Sequence, residues 1–192
     1  MVTPAHRIDY TLSDYLQLEA SSSTKHEFLA GQIYGMAGGT PEHAALKSAV
    51  TGLLFQELRE KPCRLYDADL RVAVRATGLY TYPDVTCVCG ALERDAGDPN
   101  AITNPTLIVE VTSPSTKAYD RGDKFEHYKT IPSLCEYVLV AHDARKLEVW
   151  RRQASGDWLS DSLGEDEQAR LESIDATLSV SELYGAAGVE RQ

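Results

Sequence analysis

Two acidic residues lie in runs of the sequence that are otherwise apolar. Asp84 follows Pro83 at the start of the run 83–88, and Glu110 lies near the end of the run 106–111. Short apolar runs are typical of central strands, where a lone carboxylate must be paired, hydrogen-bonded, protonated or bound to a cation. If the two strands are neighbours, both carboxylates lie at one end of the sheet and form an oxygen site suited to Mg²⁺ or Mn²⁺. Taken singly, each acid is better explained as a strand-end residue that caps a loop or pairs with an arginine.

The segment after Glu110 carries a candidate catalytic cation. Lys124 and Tyr128 are spaced to share one face of a predicted helix, with Arg121 as a further candidate. Because this helix is expected to begin just after the Glu110 strand, its first turns lie beside the two carboxylates. A lysine there can hold an attacking water or neutralise charge that develops on a phosphate. The simpler alternative is a surface lysine, and periodicity alone leaves that alternative open.

Hydrophobic periodicity indicates the helices and strands that must position these residues. Helices are predicted over 11–19 (capped by Thr11 or Ser13), from Pro41 to about Lys61 (capped by Thr40), over 119–130 and over 179–184. Strands are predicted over 64–75, 83–88, 106–111, 136–141, 147–152 and 157–159.

Residues 25–29 fit either a helix or an extended segment, ahead of a turn at Ala30-Gly31 and a strand through Ile33. The order of elements predicts an α/β protein with one mixed β-sheet and helices on both faces.

The composition is that of an ordinary globular protein, with 43% hydrophobic and 25% charged residues among 192. A single domain over residues 1–192 is expected, with an acidic C-terminal segment from about residue 153. No apolar run approaches the roughly 20 residues that span a membrane. The first ten residues lack the apolar core of a secretory signal, so a cytoplasmic protein without membrane contact is expected.

The four cysteines do not follow a metal-binding or disulfide pattern. Cys87 and Cys89 alternate within an apolar run and should face the same side of a strand. Cys63 and Cys135 stand apart from them. Buried free thiols in a reducing compartment are therefore predicted.

The formal net charge of −10 argues against nucleic acid as a partner, because phosphate binding favours a basic surface. The charge is unevenly spread, however. Residues 153–192 hold nine acids against two bases, a net of −7, which leaves −3 for residues 1–152. Carboxylates gathered around a bound cation would account for part of that remainder. The objection is weakened by this distribution but not removed.

Four motifs in order resemble those of the Uma2 family, also called DUF820, within the PD-(D/E)XK superfamily. They are Tyr82-Pro-Asp-Val85, the run from Ile108 to Thr116, Asp120-Arg-Gly-Asp-Lys124 with Tyr128, and Glu136-Tyr-Val-Leu-Val140. The stretch 25–31 and His43 belong to the same resemblance, which covers roughly residues 10–185. It implies a restriction-endonuclease-like mixed sheet flanked by helices and the activity of an endonuclease.

The resemblance also implies roles for individual residues. Asp84 and Glu110 would bind Mg²⁺ or Mn²⁺, and the carbonyl of Val111 would be a third ligand. The superfamily pattern places a lysine two positions after Glu110, where this chain has Thr112. Sequences similar to Uma2 share that feature, and the catalytic lysine is then displaced to the next helix, here Lys124.

Three further residues are implied as accessories. Glu27 would be an acid contributed by the N-terminal helix, although a glutamate near a helix end is more often simply solvated. His43 and Tyr128 would contact the metal ligands or the substrate. Thr112 would stand among the same accessory groups.

The sequence thus predicts a divalent-metal-dependent endonuclease that hydrolyses phosphodiester bonds of nucleic acid, with DNA as the expected substrate. One alternative is a degenerate nuclease fold that acts as a binding or assembly module, which the acidic composition favours. Another is a metal hydrolase for a small phosphorylated substrate. A homodimer is expected because it is the commonest assembly of soluble proteins and because a nuclease that cuts both strands would gain from two sites, although neither argument uses this sequence.

Overall fold

The computed structural model describes residues 9–36 and 38–189. Within them, the apolar runs of the sequence form strands. The helices are α1 (Leu12–Ser21), α2 (Pro41–Glu57), α3 (Lys117–Arg121), α4 (Asp123–Lys129) and α5 (Val180–Ala186). The strands are β1 (His26–Leu29), β2 (Gln32–Gly35), β3 (Cys63–Asp67), β4 (Arg71–Val74), β5 (Leu79–Thr81), β6 (Val85–Cys89), β7 (Ala101–Ile102), β8 (Leu107–Val111), β9 (Glu136–Val140), β10 (Leu147–Arg152), β11 (Trp158–Leu163), β12 (Gln168–Leu171) and β13 (Ala176–Ser179).

These strands form two larger sheets and a hairpin. The six-stranded sheet has the order β11-β10-β9-β8-β6-β3, and the five-stranded sheet has the order β2-β1-β5-β4-β7. β8 and β9 are parallel, as are β4 and β7, and the other neighbours are antiparallel. β12 and β13 pair with each other. The prediction of an α/β fold with mixed sheets is confirmed.

Both faces of the six-stranded sheet are covered, which explains why its central strands are apolar throughout. On one face, Val109 and Val111 of β8 pack in a cluster with Leu54 of α2 and Leu183 of α5. On the other face, Ile108 packs in a cluster with side chains of α4 and of the five-stranded sheet. Because side chains alternate along a strand, Glu110 belongs to the face that α4 covers.

The acidic C-terminal segment contributes apolar side chains to this core. Leu171, Leu178 and Tyr184 are buried in the same cluster as α2, while most of the acids between them are exposed. The segment from about residue 153 therefore adds a hydrophobic layer beneath an acidic surface, and the chain forms a single domain. Within the described residues, no helix is long and apolar enough to cross a membrane.

Two predicted helices end or break earlier than expected. α1 begins as predicted, with the Thr11 side chain accepting from the Asp14 amide. α2 stops at Glu57 and not near Lys61, because Pro62 disfavours helical backbone before it and the chain must turn into β3. The single helix predicted over 119–130 is divided into α3 and α4 at Gly122.

The segment 25–29 is a strand, so the prediction that Glu27 comes from an N-terminal helix is wrong. β1 and β2 form a hairpin whose turn residues, Ala30 and Gly31, both have positive φ. The predicted strand 64–75 is likewise two strands, β3 and β4, in different sheets. A turn after Asp67 separates them, with the Leu70 amide donating to the Asp67 carbonyl.

The prediction of four buried free thiols is correct for Cys87 alone. Cys63 and Cys89 lie opposite each other in the β3–β6 register and form a disulfide. Cys87 is a buried free thiol and Cys135 an exposed one. Cys87 and Cys89 do face one side of the strand, since the sulfurs of Cys63, Cys87 and Cys89 lie within 4.8 Å of one another. The pairing was not visible in the sequence because it depends on the register between β3 and β6.

Candidate active site

Asp84 and Glu110 meet where the two central strands end. β6 and β8 are antiparallel neighbours with Val85 opposite Val109, so Asp84, one residue earlier, lies across from Glu110. The Asp84 amide donates to Glu110 Oε2 at 3.2 Å, and the Val111 amide donates to Asp84 Oδ2 at 2.8 Å. The two carboxylates therefore lie together at one end of the sheet, as the sequence predicted for neighbouring strands.

Lys124 lies inside this acidic group. Its ammonium is 2.9 Å from Glu110 Oε1, 3.1 Å from Glu27 Oε1 and 3.8 Å from Asp120 Oδ1. The residue is only 5% exposed, so the surface-lysine alternative is wrong. α4 places the side chain there because its buried face, which also carries Phe125 and Tyr128, packs on the sheet.

Tyr128 also contacts Glu110, whereas Arg121 does not. The Tyr128 hydroxyl donates to Glu110 Oε1 at 2.9 Å, one helical turn from Lys124. Arg121 belongs to α3, is separated from α4 by the break at Gly122, and pairs with Glu148 outside the acidic group. The break therefore excludes the third member of the predicted helix face.

Glu27 reaches the same ammonium from the five-stranded sheet. Its carboxylate accepts from the Thr81 hydroxyl on β5 and from the Tyr119 hydroxyl on α3, the latter at 3.4 Å. The side chain is buried, so the alternative of a solvated surface glutamate is wrong. The two sheets are thus joined at this point by Lys124, which bridges Glu27 and Glu110.

Asp120 is a member of the group that the sequence reading did not single out. It is buried, and it lies in α3, four residues before Lys124 and across the break at Gly122. Its spacing of four from the lysine was the available signal, since such pairs face each other along a helix.

α2 brings a histidine and a lysine to Asp84. His43 Nε2 lies 3.3 Å from Asp84 Oδ2, and Lys47 Nζ lies 3.9 Å from Asp84 Oδ1. The hydrogen bond to Asp84 raises the pKa of His43, although burial of the ring opposes the shift. Lys47, one turn after His43, was missed by the sequence reading for want of any motif of its own.

Carboxyl groups outnumber ammonium groups around Lys124. Three carboxylates, those of Glu27, Glu110 and Asp120, lie within 4.0 Å of this one ammonium. Burial raises the pKa of Glu110 and of Asp120, and their acidic neighbours raise both further. Burial lowers the pKa of Lys124, but the carboxylates outweigh it and hold the pKa well above its usual value. The group therefore combines a lysine that stays protonated with two buried acids, Glu110 and Asp120, that are harder to ionise than usual.

Thr112 is not brought into the acidic group. Its amide donates to the Val140 carbonyl at 2.9 Å, which continues the pairing of β8 with β9. It lines a separate pocket with Lys117 and Lys146. Val111, by contrast, lines the same cleft as the carboxylates.

The acidic group forms one wall of a cleft of about 400 Å³. Glu27, Asp84, Glu110 and Lys124 lie along that wall, and two loops flank it. One loop includes Gly38 to Thr40 ahead of α2, and the other is Ser113 to Thr116 ahead of α3. The glycines of the first loop are exposed, so the cleft is open to a ligand from solvent.

A second buried glutamate shows how a purely structural acid is satisfied. Glu136 accepts from the amides of Glu172 and Ser173 at 3.1 and 3.0 Å, and Arg151 Nε lies 3.3 Å from its carboxylate. These contacts close a loop against β9, away from the cleft. Glu110 differs, because its cation is a lysine and its carboxylate lines the cleft.

Comparison with known proteins gives consistent results. The family model Uma2, described as "Putative restriction endonuclease", matches residues 12–181. The uncharacterized protein slr1290 of Synechocystis sp. is 36% identical over 171 residues, 89% of each chain. The uncharacterized protein sll1609 of Synechocystis sp. is 32% identical over 157 residues, covering 81% of this chain and 89% of that protein.

A solved structure shares the fold. It is described as a "putative nuclease belonging to DUF820" from Anabaena variabilis, and it superposes with a TM-score of 0.75. The match covers 92% of this chain and 98% of that one at 18% sequence identity, so it bears on the fold alone. The family model spans most of the sequence, and the two Synechocystis relatives cover 89% and 81% of it. The chain therefore belongs to the Uma2 family, as the resemblance of its four motifs predicted.

Proposed function

We propose that this protein is a divalent-metal-dependent endonuclease that hydrolyses phosphodiester bonds, with DNA as its substrate. The observation that carries the proposal is the contact between Lys124 and Glu110, 2.9 Å apart at the wall of an open cleft that Asp84 also lines. Two strand-end carboxylates beside a buried lysine are a combination suited to activating water against a phosphate.

The residues present fit a divalent cation. Asp84 and Glu110 would hold it through carboxylate oxygens and Val111 through its carbonyl, which are the hard donors that Mg²⁺ and Mn²⁺ prefer. The excess of carboxylates over ammonium groups around Lys124 supports the same assignment, because a cation would balance it. When bound, such an ion supplies Lewis-acid polarisation of the phosphate and lowers the pKa of water.

The remaining residues would orient these groups. Lys124 would hold the attacking water or neutralise charge on the phosphate, and Glu27 and Asp120 would fix the direction of its ammonium. Tyr128 would fix Glu110 through the hydrogen bond to Oε1. His43 would fix Asp84 from the first turns of α2.

The acidity of the whole chain bears less on this proposal than its net charge suggests. The acids after residue 153 belong to a C-terminal layer that packs on α2, while Lys47 and Lys117 lie close to the cleft and its flanking loops. A phosphate backbone entering the cleft would meet these lysines. A homodimer, which would offer two such clefts to a duplex, is part of the proposal and is measured by light scattering.

The proposal is tested by cleavage of plasmid DNA, oligodeoxynucleotides and RNA with the purified full chain. Activity is expected with Mg²⁺ or Mn²⁺ and none with a chelator. Asp84→Asn and Glu110→Gln should each slow cleavage at least about a hundredfold, or about 2.7 kcal/mol of barrier. Asp157→Asn, which changes an exposed acid in the β10–β11 turn, is the matched control and should retain full activity.

Unchanged cleavage by both site variants would overturn the proposal. Nucleic-acid binding without any metal-dependent cleavage would overturn it in favour of a binding module on the same fold.

A further inference from the structure

Tyr34 is a large aromatic side chain exposed at the mouth of the cleft. It is 52% exposed and lines the cleft together with Asp84, Glu110 and Lys124. Nothing in the nuclease chemistry described above uses it. Exposure by itself is not informative, since Phe55 on α2 is 60% exposed and lies outside the cleft. The position of Tyr34 is what calls for an explanation.

The strand register fixes that position. Tyr34 of β2 is paired directly with Glu27 of β1, and residues directly opposite in an antiparallel pair place their side chains on the same face. Glu27 in turn contacts Thr81 of β5 on that face. The row Thr81, Glu27, Tyr34 therefore runs from the buried interior to the rim, one strand spacing of about 4.8 Å at a time.

The middle residue of this row, Glu27, contacts the proposed catalytic lysine. The carboxylate of Glu27 lies 3.1 Å from Lys124 Nζ, so the Tyr34 ring lies one strand beyond a direct contact of the proposed catalytic lysine. β2 is the edge strand of its sheet, and among the described strands none lies beyond it to cover the ring. Gly38 lies on the same rim, where a Cβ atom added to it would meet none of the described atoms within 4 Å. The rim beside Tyr34 therefore has room for a ligand.

We propose that Tyr34 stacks on a nucleobase next to the phosphate held in the cleft, an inference that rests on the proposed function. An exposed ring beside a cleft of about 400 Å³ that carboxylates and a lysine line offers the flat apolar face that bases use in single-stranded recognition. A base inside a duplex has both faces covered by its neighbours, so the stacked base is unpaired. It comes either from a single strand or from a base displaced out of a duplex.

The test measures binding separately from cleavage. Fluorescently labelled single-stranded oligodeoxynucleotides are titrated in chelator with the wild-type chain, Tyr34→Ala, Tyr34→Phe and the control Phe55→Ala. Tyr34→Ala should raise Kd roughly 5- to 150-fold, the range for loss of one base stack. Tyr34→Phe keeps the ring and should bind like the wild type, as should Phe55→Ala.

A set of strands with one abasic site at successive positions then identifies the stacked base. At that position the wild type should bind as weakly as Tyr34→Ala binds the intact strand, and Tyr34→Ala should lose nothing further. Equal losses for both proteins at every position, or an unchanged Kd for Tyr34→Ala, would overturn the stacking. The same coupling on a duplex would identify a displaced base, and coupling on the single strand alone would identify an unpaired strand.

Metal-dependent cleavage by the same wild-type preparation separates this inference from the proposed function. Cleavage without coupling at Tyr34 overturns the stacking and leaves the nuclease assignment intact. Coupling without cleavage supports the stacking and overturns the nuclease assignment.

Discussion

The Lys124 ammonium lies 2.9 Å from Glu110 Oε1, although the break at Gly122 separates α4 from the segment that follows the Glu110 strand. The superfamily pattern would supply this cation from the strand itself, at the position of Thr112. Here that residue continues the pairing with β9, and a separate helix delivers the lysine. In this chain the lysine beside Glu110 therefore comes from α4 and not from β8.

Removing the Lys124 charge should impair both stability and activity. Lys124→Met leaves Glu27 and Glu110 buried without their cation, and breaking a buried ion pair in this way costs about 3–5 kcal/mol. Urea unfolding of the metal-free protein measures the loss. Lys129→Met, on the same helix but paired with Glu126 at the surface, should change stability by less than about 1 kcal/mol. Equal effects of the two substitutions would contradict the buried position of Lys124.

Divalent cations should raise the melting temperature of the wild type. Binding stabilises the folded state by about 2.7 kcal/mol when the free ion is at a hundred times its Kd. Asp84→Asn and Glu110→Gln should abolish most of the rise under Mg²⁺ or Mn²⁺, while K⁺ at matched ionic strength should produce none. A rise of the same size in both variants would place the bound ion elsewhere.

Gly39→Ala should displace His43 from Asp84. A Cβ at residue 39 would lie 2.6 Å from His43 Nδ1, so the imidazole must move. Because the hydrogen bond to Asp84 raises the pKa of His43, its loss should bring that pKa down towards the ordinary value, as measured by NMR titration of the metal-free protein. Gly38→Ala, whose Cβ would meet none of the described atoms within 4 Å, is the matched control. A pKa of His43 that is unchanged in Gly39→Ala would count against this arrangement.

Reduction of the Cys63–Cys89 disulfide should lower the free energy of unfolding, to which the free thiol of Cys135 should contribute nothing. The Cys63–Cys89 bond closes a sequence separation of 26 residues, and such a bond contributes about 2–4 kcal/mol. Alkylation of the denatured, unreduced chain should label Cys87 and Cys135 only, and reduction should expose the other pair. Labelling of all four thiols before reduction would show that the bond is absent, and Cys135→Ala should leave the melting temperature unchanged.

The sequence predicted those parts of the fold that depend on local pattern. The caps at Thr11 and Thr40 were sufficient to place α1 and the start of α2, and the apolar runs of β6 and β8 were sufficient to place one acid at the end of each strand. Whether Asp84 and Glu110 meet depends on the antiparallel pairing of β6 with β8. The caps and the apolar runs are short-range signals, because each depends only on residues close together in the sequence.

The features that escaped prediction depend on contacts between distant segments. The strand around Glu27 is set by its pairing with β2 and β5, and the disulfide by the register of β3 against β6. A single sequence carries no direct record of such pairings. The break between α3 and α4 is a local exception: Gly122 has φ −106° and ψ −107°, which lie outside the helical region, and a Cβ atom on that backbone would lie 2.9 Å from the Ala118 carbonyl.

The acidic group is dispersed over β1, the residue before β6, β8, α3 and α4, which has a consequence for the newly made chain. Glu27, Asp84 and Glu110 leave the ribosome before Lys124, and until α4 docks, Glu27 and Glu110 lack this cation. No contiguous fragment that stops short of α4 can assemble the centre. Under the proposed function, a chain that ends before α4 would therefore lack the lysine that the chemistry uses.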